Sequence, residues 1–366
     1  MGKSLATLLL LSTVLAACSA SIDDKNNNSL GTTIVKLPKI SAAISVVCSD
    51  PANCPNPMAN FELAGCTNKI SSYCTNPIKP TSPFFIDGSD YEIPTCQNTN
   101  QSNWACKDEV LAKDDDTAVY GIAWDDAASV VVHHNSGYTE AYQRPRGHSS
   151  PNAAPGSMVS DNTIKADAWK SFVEKVSAFA DVHYAAPARF CFDDEKGKWG
   201  TADDPKIILV DGVAGAEIKF APGRSIGSGC ATGSAALENL EGNGILLIRN
   251  VQFQVSRNFL FKGLVIVEGS GGAADFFSDT QYAKAGESYI FGATVLLDTL
   301  PDLLTATPVC SKNPCKADSP FITNMDFHGG IVIHSTVDIA FPRFRYSTQA
   351  IEAVTKALLK TKTTTP

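Results

Sequence analysis

Apolar and polar positions change rhythm several times along the 366-residue chain. Leu5 to Ala17 is almost entirely apolar and follows the cationic Lys3, the pattern of a signal-peptide h-region that is too short to serve as a membrane-spanning helix of about 20 residues. Between Ser19 and Thr33 the apolar positions thin out, and Asp23, Asp24, Lys25 and three asparagines, Asn26 to Asn28, take their place. That stretch reads as a flexible tether, able to span at most about 50 Å when extended. Residues 46–116 are rich in Pro, Asn and Cys, a composition that predicts turns and loops. Val119 to Trp124 and Ser129 to His133 then read as two short strands around the turn Asp125 to Ala128, and Tyr138 to Ser160 as a long polar loop. After a cap at Asp161-Asn162-Thr163, the apolar positions Trp169, Phe172, Val173, Val176, Phe179 and Ala180 recur at helical spacing, so one helix face is expected to dock on the body.

Further along, short apolar runs preceded by glycine recur: Gly244-Ile-Leu-Leu-Ile, Gly263-Leu-Val-Ile-Val, Gly292-Ala-Thr-Val-Leu-Leu and Gly330-Ile-Val-Ile, with Lys206-Ile-Ile-Leu-Val as an earlier run lacking the glycine. Uninterrupted apolar runs suit strands buried on both faces, and the glycines suit sharp corners or close backbone approach. The predicted fold class is therefore mainly β with a few helices: a disulfide-rich N-terminal region, then a C-terminal half built as an irregular parallel β-solenoid, with a β-sandwich as the alternative. At the end, Ser347 precedes an amphipathic pattern at Ile351, Val354, Ala357 and Leu358, a helix expected to cover an open end of the sheet before a frayed tail. The expected divisions are a signal peptide over 1–17, a lipidated tether over 18–45, a Cys-rich region over 46–116, strands and loop over 117–160, a docking helix with the β domain over 161–346, and a capping helix with tail over 347–366.

Composition adds location. With 44% apolar and 19% charged residues the chain has a core to bury, and a net charge of −8 without a basic stripe excludes a nucleic-acid partner. Leu15-Ala16-Ala17-Cys18 closes the apolar segment in the form of a bacterial lipobox, which implies cleavage before Cys18, acylation of that cysteine and anchoring in the envelope. Ser19, rather than Asp, stands next to it and favours the outer membrane.

Eleven cysteines point to an oxidising compartment. With Cys18 assigned to lipid, an even number remains as disulfide candidates: Cys48, Cys54, Cys66, Cys74, Cys96 and Cys106 in the cluster, and Cys191, Cys230, Cys310 and Cys315 beyond it. Spacing alone does not assign their partners. The gaps in the cluster lack the paired knuckles of a zinc site.

Asp203 to Gly212, Gly242 to Ile248, Ser256 to Gly269 and Arg345 to Ile351 together resemble PilX-like pilus-assembly-associated proteins over roughly residues 160–358. The resemblance implies a β-rich, solenoid-like module of envelope or pilus-associated proteins, with no catalytic residues to carry over. A lipobox stands here where such relatives have a prepilin-type N-terminal segment.

No nucleophile elbow, metalloprotease helix, phosphate loop or dinucleotide fingerprint occurs in the sequence. His133 and His134, as neighbours on a strand, point to opposite faces. His328 and His334, read as one strand, lie some 20 Å apart at about 3.3 Å per residue. No metal or cofactor is expected beyond calcium at an acidic group such as Asp114 to Asp116, Asp193 to Glu195 or Asp203-Asp204. The expected partners are the membrane, through the anchor, and envelope proteins, pilus components or surface polysaccharide. Two function classes follow: a non-enzymatic envelope protein of adhesion or assembly, and a glycan-binding or polysaccharide-degrading enzyme with a carboxylate pair in an aromatic-lined groove.

Overall fold

The computed structural model describes residues 35–51, 54, 59–64, 86–94, 96–100, 103–106, 111–112, 117–128, 130–134, 147, 157–213, 216–221, 240–256, 259–269, 275–279, 288–298, 324–327, 331–334 and 343–360. The signal peptide, Cys18 and the expected tether as far as residue 34 lie outside these residues, whereas 35–45 of that stretch are described.

The N-terminal part supplies strands β1 (Ala42–Val47), β2 (Ala59–Ala64), β3 (Ile86–Asp87), β4 (Cys96–Asn100), β5 (Asn103–Cys106), β6 (Tyr120–Trp124), β7 (Val130–His134) and β8 (Met158–Ser160). Helix α1 (Ala166–Ser177) leads to β9 (Val182–Ala185), β10 (Ala188–Cys191) and the single turn α2 (Phe192–Glu195). Then come β11 (Lys206–Asp211), β12 (Glu217–Ala221), β13 (Leu240–Arg249), β14 (Gln252–Ser256), β15 (Phe259–Glu268), β16 (Asp275–Asp279), β17 (Ser288–Leu297), β18 (Asn324–Phe327), β19 (Ile331–His334), β20 (Arg343–Arg345) and helix α3 (Thr348–Lys360).

Two sheets share nearly all of these strands. The first runs β8-β6-β1-β17-β15-β13-β11-β9, with β20 and β3 attached beside β17, and the second runs β10-β12-β14-β16-β18-β19-β2-β7. Every described ladder of the first sheet is parallel. In the second, only the ladders that join β18 to β16 and to β19 are antiparallel.

Uninterrupted apolar runs are explained by burial on both faces. In β13, Leu246 and Ile248 enter a cluster shared with Phe220 and Phe253 of the second sheet, whereas Ile245 and Leu247 face the opposite way, under the helices. That second cluster receives Trp169, Phe172, Val173 and Val176 of α1 together with Val354, Ala357 and Leu358 of α3. The expected docking face of α1 is thus formed, but its N-cap is Lys165 without a side-chain cap. Asp161 instead closes the preceding turn by accepting from the Thr163 N–H at 2.9 Å.

Three of the four repeated glycines stand in the middle of ten-residue strands rather than before shorter ones, and Gly330 lies outside the described residues. Gly244, Gly263 and Gly292 are register partners across β13, β15 and β17, with φ of +120°, +146° and +132°. A Cβ at any of them would collide with the backbone carbonyl of the adjacent strand. Glycine therefore lets each strand turn a corner without breaking its ladder.

Several sequence expectations are relocated by this topology. β1 begins inside the stretch expected to be tether (18–45) and is buried at every position, and β2 lies in the stretch read as Cys-rich loops (46–116); both belong to the two large sheets, so stacking is not confined to the C-terminal half. Helix α3 forms with Ser347 as its cap, the Ala350 N–H donating to Ser347 Oγ at 3.3 Å. It packs on β13, β15 and β17, central strands of the first sheet, instead of over an open edge, because their outward apolar side chains offer the matching surface. His334 ends β19, which starts at Ile331 and runs antiparallel to β18.

Beyond β17 each layer is assembled from segments remote in sequence. β20 pairs with residues 289–291 and β1 with residues 294–297 of β17, so a C-terminal and an N-terminal strand lie along the two halves of one ten-residue strand.

Candidate functional site

Polar side chains collect where strands of the first sheet end. Asp211, Arg249 and Glu268 are register partners on β11, β13 and β15, spaced by about 4.8 Å per strand. Arg249 Nε donates to Glu268 Oε2 at 2.7 Å, and the Asn250 N–H donates to the Glu268 carbonyl at 3.0 Å. Burial pushes the Glu268 carboxyl up, against the pull of Arg249, and the Asp298 and Asp211 carboxylates push it the same way.

Asp298 follows β17 in a left-handed backbone conformation, φ 50°. Its oxygens accept the Ser49 N–H at 2.6 Å and the Ser49 hydroxyl. Asp125, buried at the end of β6, accepts the N–H groups of Cys48 at 3.0 Å, Ala127 at 3.2 Å and Ala128 at 2.8 Å. Desolvation pushes Asp125 up even so. These carboxylates bind backbone and close turns, and they fasten the end of β1 from both neighbouring strands.

Cys48 and Cys54 form a disulfide within this corner, with Cα atoms 6.1 Å apart. Their sulfurs and an Asp298 oxygen lie within 4.8 Å of one another, but joined sulfurs offer no thiolates to a metal. Cys191 is also disulfide-bonded. The β4–β5 register sets the backbone of Cys96 opposite that of Cys106. Cys66, Cys74, Cys230, Cys310 and Cys315 lie outside the described residues, as do Asp114 to Asp116 and His328.

Two further polar groups fasten other elements. Asp90 accepts the Thr348 N–H at 2.8 Å, the Thr348 hydroxyl at 2.7 Å and the Thr117 hydroxyl at 2.6 Å, placing a carboxylate at the positive end of α3. Arg345, almost completely buried, holds its guanidinium 5.2 Å from the centre of the Tyr91 ring, and the Tyr91 hydroxyl donates to Asp87 at 2.7 Å. Near β9, the Tyr184 hydroxyl donates to Glu195 and accepts from Trp199 Nε1 at 3.0 Å. Burial, with the Glu195 carboxylate beside it, pushes that hydroxyl up.

Of the acidic groups considered for calcium, Glu195 is bonded to Tyr184 and lies 3.1 Å from Lys198, and Asp204 lies 3.0 Å from Lys206. Their oxygens serve internal contacts. His133 and His134 occupy β7 opposite Glu62 and Leu63 of β2.

Asp211 and Glu268 are register positions two strands apart, a backbone spacing of about 9.6 Å, beside the roughly 6.5–9.5 Å between the carboxyls of an inverting hydrolytic pair. Arg249 stands between them and takes up Glu268, and no described aromatic side chain is exposed to stack on a sugar. A cavity of 360 Å³ lies elsewhere, lined by Lys39, Tyr120, Asp126, Val159, Ser160, Asp161 and Asn162, with the Lys39 ammonium donating to Thr163 at 2.7 Å. Asp298, Asp90 and Arg345 have no local signal in the sequence, because an isolated polar residue does not reveal the distant backbone of Ser49 or Thr348, or the distant Tyr91 ring, that it meets.

The arrangement defines a β-rich protein of two largely parallel sheets whose described polar clusters hold structure together. No family model, curated protein or solved structure matches the chain. Among the described residues no helix is long and apolar enough to cross a membrane.

Proposed function

We propose that this chain is a non-enzymatic, lipid-anchored protein of the bacterial cell envelope, held in the outer membrane, with an irregular β-solenoid body that serves surface adhesion or assembly with envelope or pilus-associated components. The observation that carries this reading is Leu15-Ala16-Ala17-Cys18 at the end of the apolar N-terminal stretch, followed by a polar tether. Support for the solenoid comes from the strand order. β9 and β10, β11 and β12, β13 and β14, β15 and β16, β1 and β2, and β6 and β7 are successive pairs that alternate between the sheets and stack in the same order in both. A sandwich is built of antiparallel sheets, whereas the first sheet here is parallel throughout its described ladders. The further cysteines fit a protein that matures outside the cytosol.

Labelling growing cells with radioactive palmitate and fractionating them tests the anchor. The wild type is expected to carry label and to sediment with membranes, and Cys18→Ala to lose the label and become soluble. A Cys18→Ala chain that still fractionates wholly with membranes would overturn the reading. Protease added to intact cells then separates the two roles: digestion of the wild type places it on the surface and supports adhesion, and protection supports assembly within the periplasm.

A further inference from the structure

We infer that β1 is a shear clamp that carries mechanical load from the N-terminal anchor into the body, an inference that rests on the anchored reading above for the source of the load. The first described strand, formed beside β6 from nearby sequence, would most simply sit at a sheet edge, where one ladder holds it. β1 is instead inserted between β17 and β6, parallel to both and buried at all six positions. Closing a layer against a strand that lies some 250 residues later has a loop-closure cost that an edge position next to β6 would avoid.

Tension arriving through the tether meets three successive fastenings. Val35, Leu37 and Ile40 first pack onto the apolar cluster beneath the helices. Pulled along its axis, β1 then loads its two ladders together, so their hydrogen bonds must fail collectively rather than in sequence. At the far end of β1, the Asp125 carboxylate holds the Cys48 N–H and the Asp298 carboxylate holds Ser49, while the Asp125 and Asp298 N–H groups donate to the carbonyls of Val46 and Val47 at 3.2 and 3.0 Å. The Cys48–Cys54 disulfide covalently bypasses the loop that follows. At the other end of the described chain, α3 is tied to Asp90 and Ile93 at its first turn and lies on the sheet face by apolar contact beyond it, so a pull from the C-terminus meets the apolar turns first and can peel them away one by one. Forced rupture is governed by the unfolding barrier along the pulled coordinate, so the two ends of one protein will differ in strength.

Single-molecule stretching of the full chain carrying Cys18→Ala tests the inference, with one handle at the exposed turn around Gly197 and the other at either the N- or the C-terminus. Rupture through the N-terminus is expected at the higher force, and Asp125→Ala combined with Asp298→Ala is expected to lower that force while the C-terminal rupture stays unchanged. An N-terminal rupture at a force equal to or below the C-terminal one would overturn the clamp. So would a double variant that lowers both forces alike, or neither. Palmitate labelling of Cys18 remains a separate result: an unlabelled chain with a strong N-terminal clamp refutes the anchor and leaves the clamp standing.

Discussion

Replacing Gly263 by alanine probes the corner on which the three long strands depend. Gly263 sits at φ +146°, where an L-residue is strained by about 1–3 kcal/mol. Its added Cβ would also stand 2.9 Å from the Gly244 carbonyl carbon and closer still to the oxygen, against backbone held on its other side by β11. Forcing a methyl group into a packed interior adds about 1–3 kcal/mol, giving a total of about 2–6 kcal/mol. Gly197 provides the control, since it too has positive φ, +80°, but nothing lies within 4 Å of a Cβ placed there. Gly197→Ala should therefore show the conformational component alone, about 1–2 kcal/mol. Urea unfolding of the disulfide-intact protein, followed by tryptophan fluorescence, should shift its midpoint farther for Gly263→Ala than for Gly197→Ala, by more than twofold at the middle of the two ranges, with slopes unchanged. Equal shifts would refute the reasoning, because the glycine column would then be a matter of local backbone preference and not of close approach between strands.

Two further substitutions test the polar fastenings. Asp90→Ala removes the acceptor for the Thr348 N–H and for two hydroxyls, and should lower stability by about 1–2 kcal/mol while speeding amide exchange in residues 348–360 more than in β13. Exchange that rises equally in both places would dissociate Asp90 from the helix. Arg249→Ala should cost about 1–3 kcal/mol at pH 7 by leaving the Glu268 carboxylate buried without its cation. The sign of the pH dependence follows from the raised Glu268 carboxyl: the folded state binds its proton more tightly than the unfolded state, so stability falls as pH rises from the unfolded value of about 4.3 through the folded one. Removing Arg249 strengthens that fall, so the loss should shrink in acid and vanish in the Glu268→Gln background. A loss independent of pH between 4 and 7 would contradict it.

Much of the local structure was legible because it is local. The helix at 166–177 followed from Trp169, Phe172, Val173 and Val176, and the C-terminal helix from Ser347 and its apolar face, since cap and period lie within a few residues of one another. The strands at Lys206, Ile245, Leu264 and Ala293 followed from apolar runs that only double burial rewards, and the glycines beside them signalled close backbone approach. Their position in the middle of ten-residue strands was not legible: the polar or aromatic residues before each glycine, such as Glu241 and Asn243, break the apolar run although the ladder continues through them.

What the sequence by itself determined is therefore the alphabet of this fold: apolar runs for strands, amphipathic stretches for helices, cysteines enough for an oxidised protein, and the lipobox pattern ending at Cys18. Only the tertiary structure decided the order in which those pieces stack. β1 lies between β17 and β6, β20 and β1 share one layer, and α3 lies on central strands. Many strand orders would bury nearly the same apolar area, because each run offers both neighbours a similar surface. The choice among them rests on single contacts over long sequence distances, such as Ser49 with Asp298 and Asp90 with Thr348, whose value appears only once the backbone groups they satisfy have been brought together.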